Sequence, residues 1–141
     1  MATDNQRFPH LLPADIAVWK AFLALQLYPY SHIDYDVRVG EGRDPGPAFQ
    51  PNIRSMALDL SRRRIDAIGY LANEIHIIEI TQEAGTTAIG QLSVYPILYA
   101  QTYHPLKPLR CLLVCSALGT GIPPALENLG ITVHIVTPTE D

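Results

Sequence analysis

Two acids in this 141-residue chain stand where apolar residues would be expected. Asp66 interrupts the run RRIDAIGYL and Glu79 interrupts the run EIHIIEITQ, with Ala72-Asn73 between them. Asn tolerates left-handed backbone geometry, so a two-residue turn at Ala72-Asn73 predicts a tight hairpin. In that register Leu71 faces Glu74, Ile68 faces Ile77 and Asp66 faces Glu79. Arg64 then lies opposite Thr81, and strict alternation puts Arg64, Asp66, Ile68, Ile77, Glu79 and Thr81 on one sheet face. Carboxylates directly opposite each other repel. In a partly dry site, one of them holds its proton above its ordinary range. Two arrangements answer that cost. Arg62 to Arg64 can neutralise the pair as an ion cluster, or a hard cation can sit between the acids. Mg²⁺ takes carboxylate oxygens, keeps several waters and bridges to phosphate. Two carboxylates with open positions suit metal-assisted phosphodiester hydrolysis.

The elements that would position these acids can be read from the pattern around them. Pro13 and Asp15 open a helix, since proline suits the first turn and an acid complements the N-terminal dipole. Ile16, Trp19, Ala21, Phe22, Leu23 and Leu27 give it a broad apolar face, and it ends before Pro29. Residues 34–40 alternate and predict a half-exposed strand. Residues 41–53 hold three prolines and two glycines and predict a long loop. Met56–Leu60 fits a helical turn or a strand. After the hairpin, Thr86 opens a helix running to about Tyr103. Its stripe is Ala88, Leu92, Tyr95, Tyr99 and Thr102, with Pro96 expected to kink it. Residues 109–116 predict a buried strand, Ile122–Leu129 a short helix closed by Gly130, and 131–136 a last strand. The order is α-β-β-β-α-β-α-β, a mixed α/β sheet flanked by helices, with a parallel crossover in its second half. Residues 1–12 read as an N-terminal extension, 13–136 as one domain and 137–141 as a frayed acidic tail.

Composition narrows the class. Apolar residues make up 48% of the chain and the net charge is −4, which suits a globular domain and not a general nucleic-acid-binding field. Yet six of the ten Lys and Arg residues fall between Arg38 and Arg64, a local face that could meet phosphate. No apolar run approaches the roughly 20 residues that span a bilayer, and MATDNQRFPH lacks the layout of a signal peptide. A reducing compartment is expected, cytoplasmic, or a virion if the chain is a phage component. Cys111 and Cys115 lie in an apolar run with no second Cys/His pair, and read as core residues. His32, His76, His104 and His134 show no ligand spacing. Ser116 lacks the Gly-x-Ser-x-Gly context of a nucleophile, and Gly119-Thr-Gly121 lacks the rest of a phosphate loop.

The acids lie in a recognisable order: Ile65-Asp66-Ala67-Ile68-Gly69, then Ile78-Glu79-Ile80-Thr81, then Gly90-Gln91-Leu92 with Tyr95. This order resembles the PD-(D/E)XK, or restriction-endonuclease-like, nuclease superfamily over roughly residues 13 to 135. The resemblance implies a restriction-endonuclease-like fold with Asp66 and Glu79 as ligands of Mg²⁺ and Gln91 as their support. The family's lysine, two residues past the Glu, is replaced here by Thr81, a hydroxyl without charge. Arg64, or Lys20 from the first helix, could stand in, although an arginine cannot act as a base. The first helix carries Asp15 as its only acid, where many relatives have a glutamate.

Two functions follow as expectations. The first is a nuclease-fold protein with a degenerate site, a non-catalytic binding or assembly module in a phage or mobile-element complex, with a protein partner or a second copy of itself. The alternative is an active Mg²⁺-dependent DNA endonuclease that uses Asp66, Glu79 and Gln91 with Arg64 or Lys20, and binds DNA through the Arg38–Arg64 face.

Overall fold

A computed structural model describes Phe8 and residues 10–138. Five strands form one mixed sheet in chain order, β1 (His32–Val39), β2 (Arg63–Tyr70), β3 (Ile75–Ala84), β4 (Leu109–Leu118) and β5 (Thr132–Ile135). The pairs β1–β2 and β2–β3 are antiparallel, while β3–β4 and β4–β5 are parallel. The parallel steps need crossovers. Helices α3 (Thr86–Tyr103) and α4 (Ile122–Leu129) make them. Helix α1 (Pro13–Ala24) precedes the sheet, and α2 (Pro51–Leu60) joins β1 to β2. The α/β class and the antiparallel hairpin are therefore as expected from the sequence. The element order gains one helix.

That helix is α2, which begins inside the segment expected to be a loop. Pro51 stands in its first turn, where its missing N–H costs nothing. None of its residues is buried, so no core-facing stripe marked it in the sequence.

The sheet is covered on both faces. On one, Ile16, Val18, Trp19 and Phe22 of α1 pack on Ala67, Ile78, Ile80, Leu112 and Val114. On the other, Ala88, Leu92, Tyr95 and Tyr99 of α3 pack on Ile65, Ile68, Ile77, Leu113 and Cys115. Phe8 and Leu11 belong to the α1-side core, at 1% and 8% exposure. The folded domain thus begins before residue 13. Thr137 and Pro138 carry no regular structure, and the rest of the acidic tail lies outside the described residues.

Pro96 lies within α3 and has no N–H for the Leu92 carbonyl, four residues back. The Cys111 thiol donates to that carbonyl instead, at 3.5 Å. Both cysteines are unbonded to each other, as their reading as packing residues requires.

One irregularity shapes the site. Ile33 and Tyr35 face the α1 side, whereas Val37 and Val39 face the α3 side. On β2, Ala67 faces α1 while Ile65 and Ile68 both face α3. The pairing register does not change across this step, with Tyr35 opposite Ala67 and Val37 opposite Ile65. Both strands instead switch faces at Asp36 and Asp66, and Asp36 takes a left-handed backbone with φ of 54°.

Candidate functional site

Strands β2 and β3 pair from Tyr70↔Ile75 to Ala67↔Ile78, in the register the two-residue turn predicts. At the next step they fork, and Asp66 and Glu79 stand at the fork. The Asp66 carboxylate accepts the Ile80 N–H at 2.9 Å, so its side chain takes the place of the lost ladder contact. The Asp66 and Glu79 carboxyls are close enough at the fork to affect each other's titration. Glu79 is only 4% exposed, and its Oε1 has no hydrogen-bond partner among the described residues.

Burial raises the Glu79 pKa well above its ordinary range, and the Asp66 charge pushes the same way. Burial also raises Asp66, against the opposing effects of Glu79 and the Ile80 N–H. The two carboxyls therefore titrate as one interacting pair, and burial raises Glu79 the more strongly.

The fork opens into a cleft of about 280 Å³. Asp15, in the first turn of α1, faces it and fixes the edge of β3 by accepting the Gln82 N–H at 3.0 Å. Burial raises the Asp15 pKa too, with the Asp66 charge adding to the effect. From the α3 side come Thr87, Ala88 and Gln91, and Gln91 Nε2 donates to the Tyr95 hydroxyl at 3.5 Å. Thr81 and Glu83 complete the wall from β3. His10 closes the α1 side. Its Nε2 donates to the Asp66 carbonyl at 3.0 Å, and its buried Nδ1 has no hydrogen-bond partner among the described residues.

Asp66, Glu79 and Gln91 are thus brought together, as the spacing predicts. The cations are not. Neither Arg64 nor Lys20 lines the cleft. Arg64 pairs with Arg38 across the β1–β2 ladder, and its guanidinium lies 3.8 Å from Asp36. The switch of faces at Asp66 is the physical reason, since it breaks the alternation that placed Arg64 beside the acids. His10 and Asp15 were missed as site residues. His10 lies in the presumed extension, and only its apolar neighbours Phe8 and Leu11 signal that this stretch is anchored.

The other histidines take structural places. His76 is fully buried; Glu74 accepts from its Nε2, and Tyr30 donates to its Nδ1 at 2.6 Å. His134 Nε2 lies 2.7 Å from the Tyr28 hydroxyl. Among the described residues no group of three or more His, Cys, Asp or Glu is arranged to hold a metal ion. No helix of the described residues is long and apolar enough to cross a membrane.

No protein-family model, curated protein or solved structure matches the chain.

Proposed function

We propose that this chain is a nuclease-like binding module whose acidic cleft holds a divalent cation without supporting fast phosphodiester cleavage. The observation that carries the reading is the composition of the cleft: three buried or half-buried acids, Asp15, Asp66 and Glu79, and no Lys or Arg among the described residues of its wall. Such a cleft attracts a cation, and its described residues offer no positive charge to an attacked phosphate. Even one oriented hydrogen-bond donor at a transition-state oxyanion is worth roughly 10²–10³ in rate.

The residues fit a hard cation. Glu79 Oε1 is buried without a partner, which is costly unless something positive meets it. Two carboxylates with room for waters match the habits of Mg²⁺. Asp66 and Glu79 would hold it in their ionised forms, while Thr81, Thr87 and Gln91 would offer oxygens to its waters. When bound, the ion would polarise a phosphate oxygen or a water. The exposed stripe Ile53, Met56 and Leu60 along α2 supports a role in contacting other molecules.

The test is calorimetric titration of Mg²⁺ and Mn²⁺ into wild type and Asp66→Asn, beside a nuclease assay on single-stranded and duplex DNA. Millimolar or tighter binding, lost in the variant and unaccompanied by cleavage, is expected. Mg²⁺-dependent cleavage that Asp66→Asn abolishes would replace this reading with that of a working nuclease. No binding by wild type would leave the acids as a proton-sharing pair without a metal.

A further inference from the structure

Between α1 and β1, residues 25–31 cross the hairpin end of the sheet, opposite the acidic cleft. Leu25, Gln26, Leu27, Pro29 and Ser31 are exposed, and only Tyr28 and Tyr30 turn inward, against the α1-side core. The N–H groups of Leu25, Gln26 and Tyr30 bond within α1 and the segment itself. Ser31 N–H donates to the Tyr70 carbonyl at 2.9 Å, where β1 begins. Gln26 takes a left-handed backbone, with φ of 50°, at the turn out of α1. The two tyrosines are therefore the side-chain anchors of this segment on the sheet.

Both anchors end on a histidine. The Tyr30 hydroxyl lies 2.6 Å from His76 Nδ1, and the Tyr28 hydroxyl lies 2.7 Å from His134 Nε2. Tyr28 also stands edge-on to both imidazoles, its ring centroid 4.7 Å from that of His76 and 5.5 Å from that of His134. Glu74 accepts from His76 Nε2. Neutral His76 therefore keeps its proton on Nε2 and offers Tyr30 a lone pair at Nδ1. An imidazolium has no lone pair to offer. Protonation removes the acceptor on which the tyrosine rests.

The charges around the two rings favour their neutral forms. Strand β3 contributes His76, the hairpin turn Glu74, β4 Arg110 and β5 His134. Helix α1 sets the uncharged Phe22 at 5.5 Å from the His134 ring, and β2 presents Gly69 to Tyr30. Glu74 and Arg110 lie 3.7 Å apart and offset each other. A proton on His76 can lean on Glu74. A second, on His134, meets Arg110 and the charged His76 with no carboxylate of its own among the described contacts. Burial lowers the His76 pKa against the pull of Glu74. Burial lowers His134 too, and the His76 and Arg110 charges act in the same direction.

We propose that residues 25–31 are a strap that mild acid opens: neutral His76 Nδ1 and His134 Nε2 accept from the Tyr30 and Tyr28 hydroxyls and hold it closed, and protonation of both rings releases the two anchors together and uncovers this end of the α1-side core. The strap works whether or not a cation occupies the Asp66–Glu79 cleft. Its sign follows from the lowered folded-state values. The closed form is fully present above the ordinary histidine pKa of about 6.5 and is lost as pH falls through those lower values. Uptake of one proton shifts the opening equilibrium by up to about tenfold per pH unit, and uptake of two by up to about 100-fold.

The test is amide hydrogen exchange of the full chain in EDTA at about pH 7.5 and about pH 5.5, corrected for the intrinsic pH dependence of exchange. The amides of Leu25, Gln26, Tyr30 and Ser31 should lose at least about tenfold in protection at the lower pH, while those of α3 keep theirs. His134→Gln keeps a polar side chain that does not titrate, and its strap should respond only as steeply as one histidine allows. Tyr28→Phe removes one anchor without touching either imidazole, and its strap should already be less protected at the higher pH. Equal protection of the wild-type strap at both pH values would overturn the proposal. So would a loss that spreads evenly into α3, since that is global unfolding and not a strap. A His134→Gln response as steep as that of wild type, or a Tyr28→Phe strap as protected as that of wild type, would refute the paired anchors.

Discussion

Replacing Glu79 by glutamine separates the cost of the carboxylate pair from its use. Two ionised carboxyls about 4 Å apart repel by roughly 4 kcal/mol at an effective dielectric of about 20. Burial and the Asp66 charge favour the protonated form of Glu79, which is only 4% exposed with its Oε1 unpaired among the described residues. Glutamine has the shape of the protonated acid and cannot ionise. Glu79→Gln should therefore stabilise the metal-free protein by about 1–4 kcal/mol near pH 8, as replacements of buried charge often do. The pH dependence has a definite sign. The folded-state pKa of Glu79 is raised, so its contribution is fully present below the free-glutamate value of about 4.3 and is lost as pH rises through the folded value. The advantage of the variant should be largest near about pH 8 and vanish by about pH 4. Divalent cation should narrow the difference. At ten times its dissociation constant it adds about 1.4 kcal/mol to wild type and nothing to a variant that cannot bind it. Urea denaturation at both pH values, with and without Mg²⁺, measures all of this. A variant less stable than wild type near neutral pH without metal would refute the reasoning. Glu79 would then be an ionised group held by a positive partner, as in an ion cluster with the arginines.

Two further outcomes follow from the far end of the sheet. A Cβ on Gly69 would come within 2.4 Å of the Tyr30 ring, so Gly69→Ala should displace Tyr30 from His76 and cost roughly 2–4 kcal/mol in urea unfolding, overpacking and a lost hydrogen bond together. His76 is held neutral by burial, its pKa lowered against the pull of Glu74, so wild type should lose stability as pH falls from about 6.5 through the folded value. His76→Gln keeps a polar side chain but does not titrate, and its stability should fall less steeply over that window.

Much of the site is legible in the chain because it rests on local rules. Asn73 marks the hairpin turn, and the turn fixes the register in which Ile68 meets Ile77. Period-two alternation then brings Asp66 and Glu79 to the same end of the sheet. Thr86 and the stripe from Ala88 to Tyr99 place α3, and Gln91 with it. The α2 helix was hidden because it buries nothing, and burial is what periodicity reports.

The chain alone therefore determined the mixed sheet, the antiparallel hairpin and the meeting of two acids with Gln91, since turn chemistry and alternation act between near neighbours. Only the tertiary structure decided which other groups face those acids. It seated His10 and Asp15 in the cleft through packing of Phe8, Leu11 and α1 on the sheet, a long-range contact that leaves no local pattern. It also turned Arg64 away and Arg63 towards the α3 side, by a face switch shared between β1 and β2. A step of that kind is set by two strands together, where Asp36 adopts a left-handed backbone opposite Asp66, and neither strand read by itself contains it.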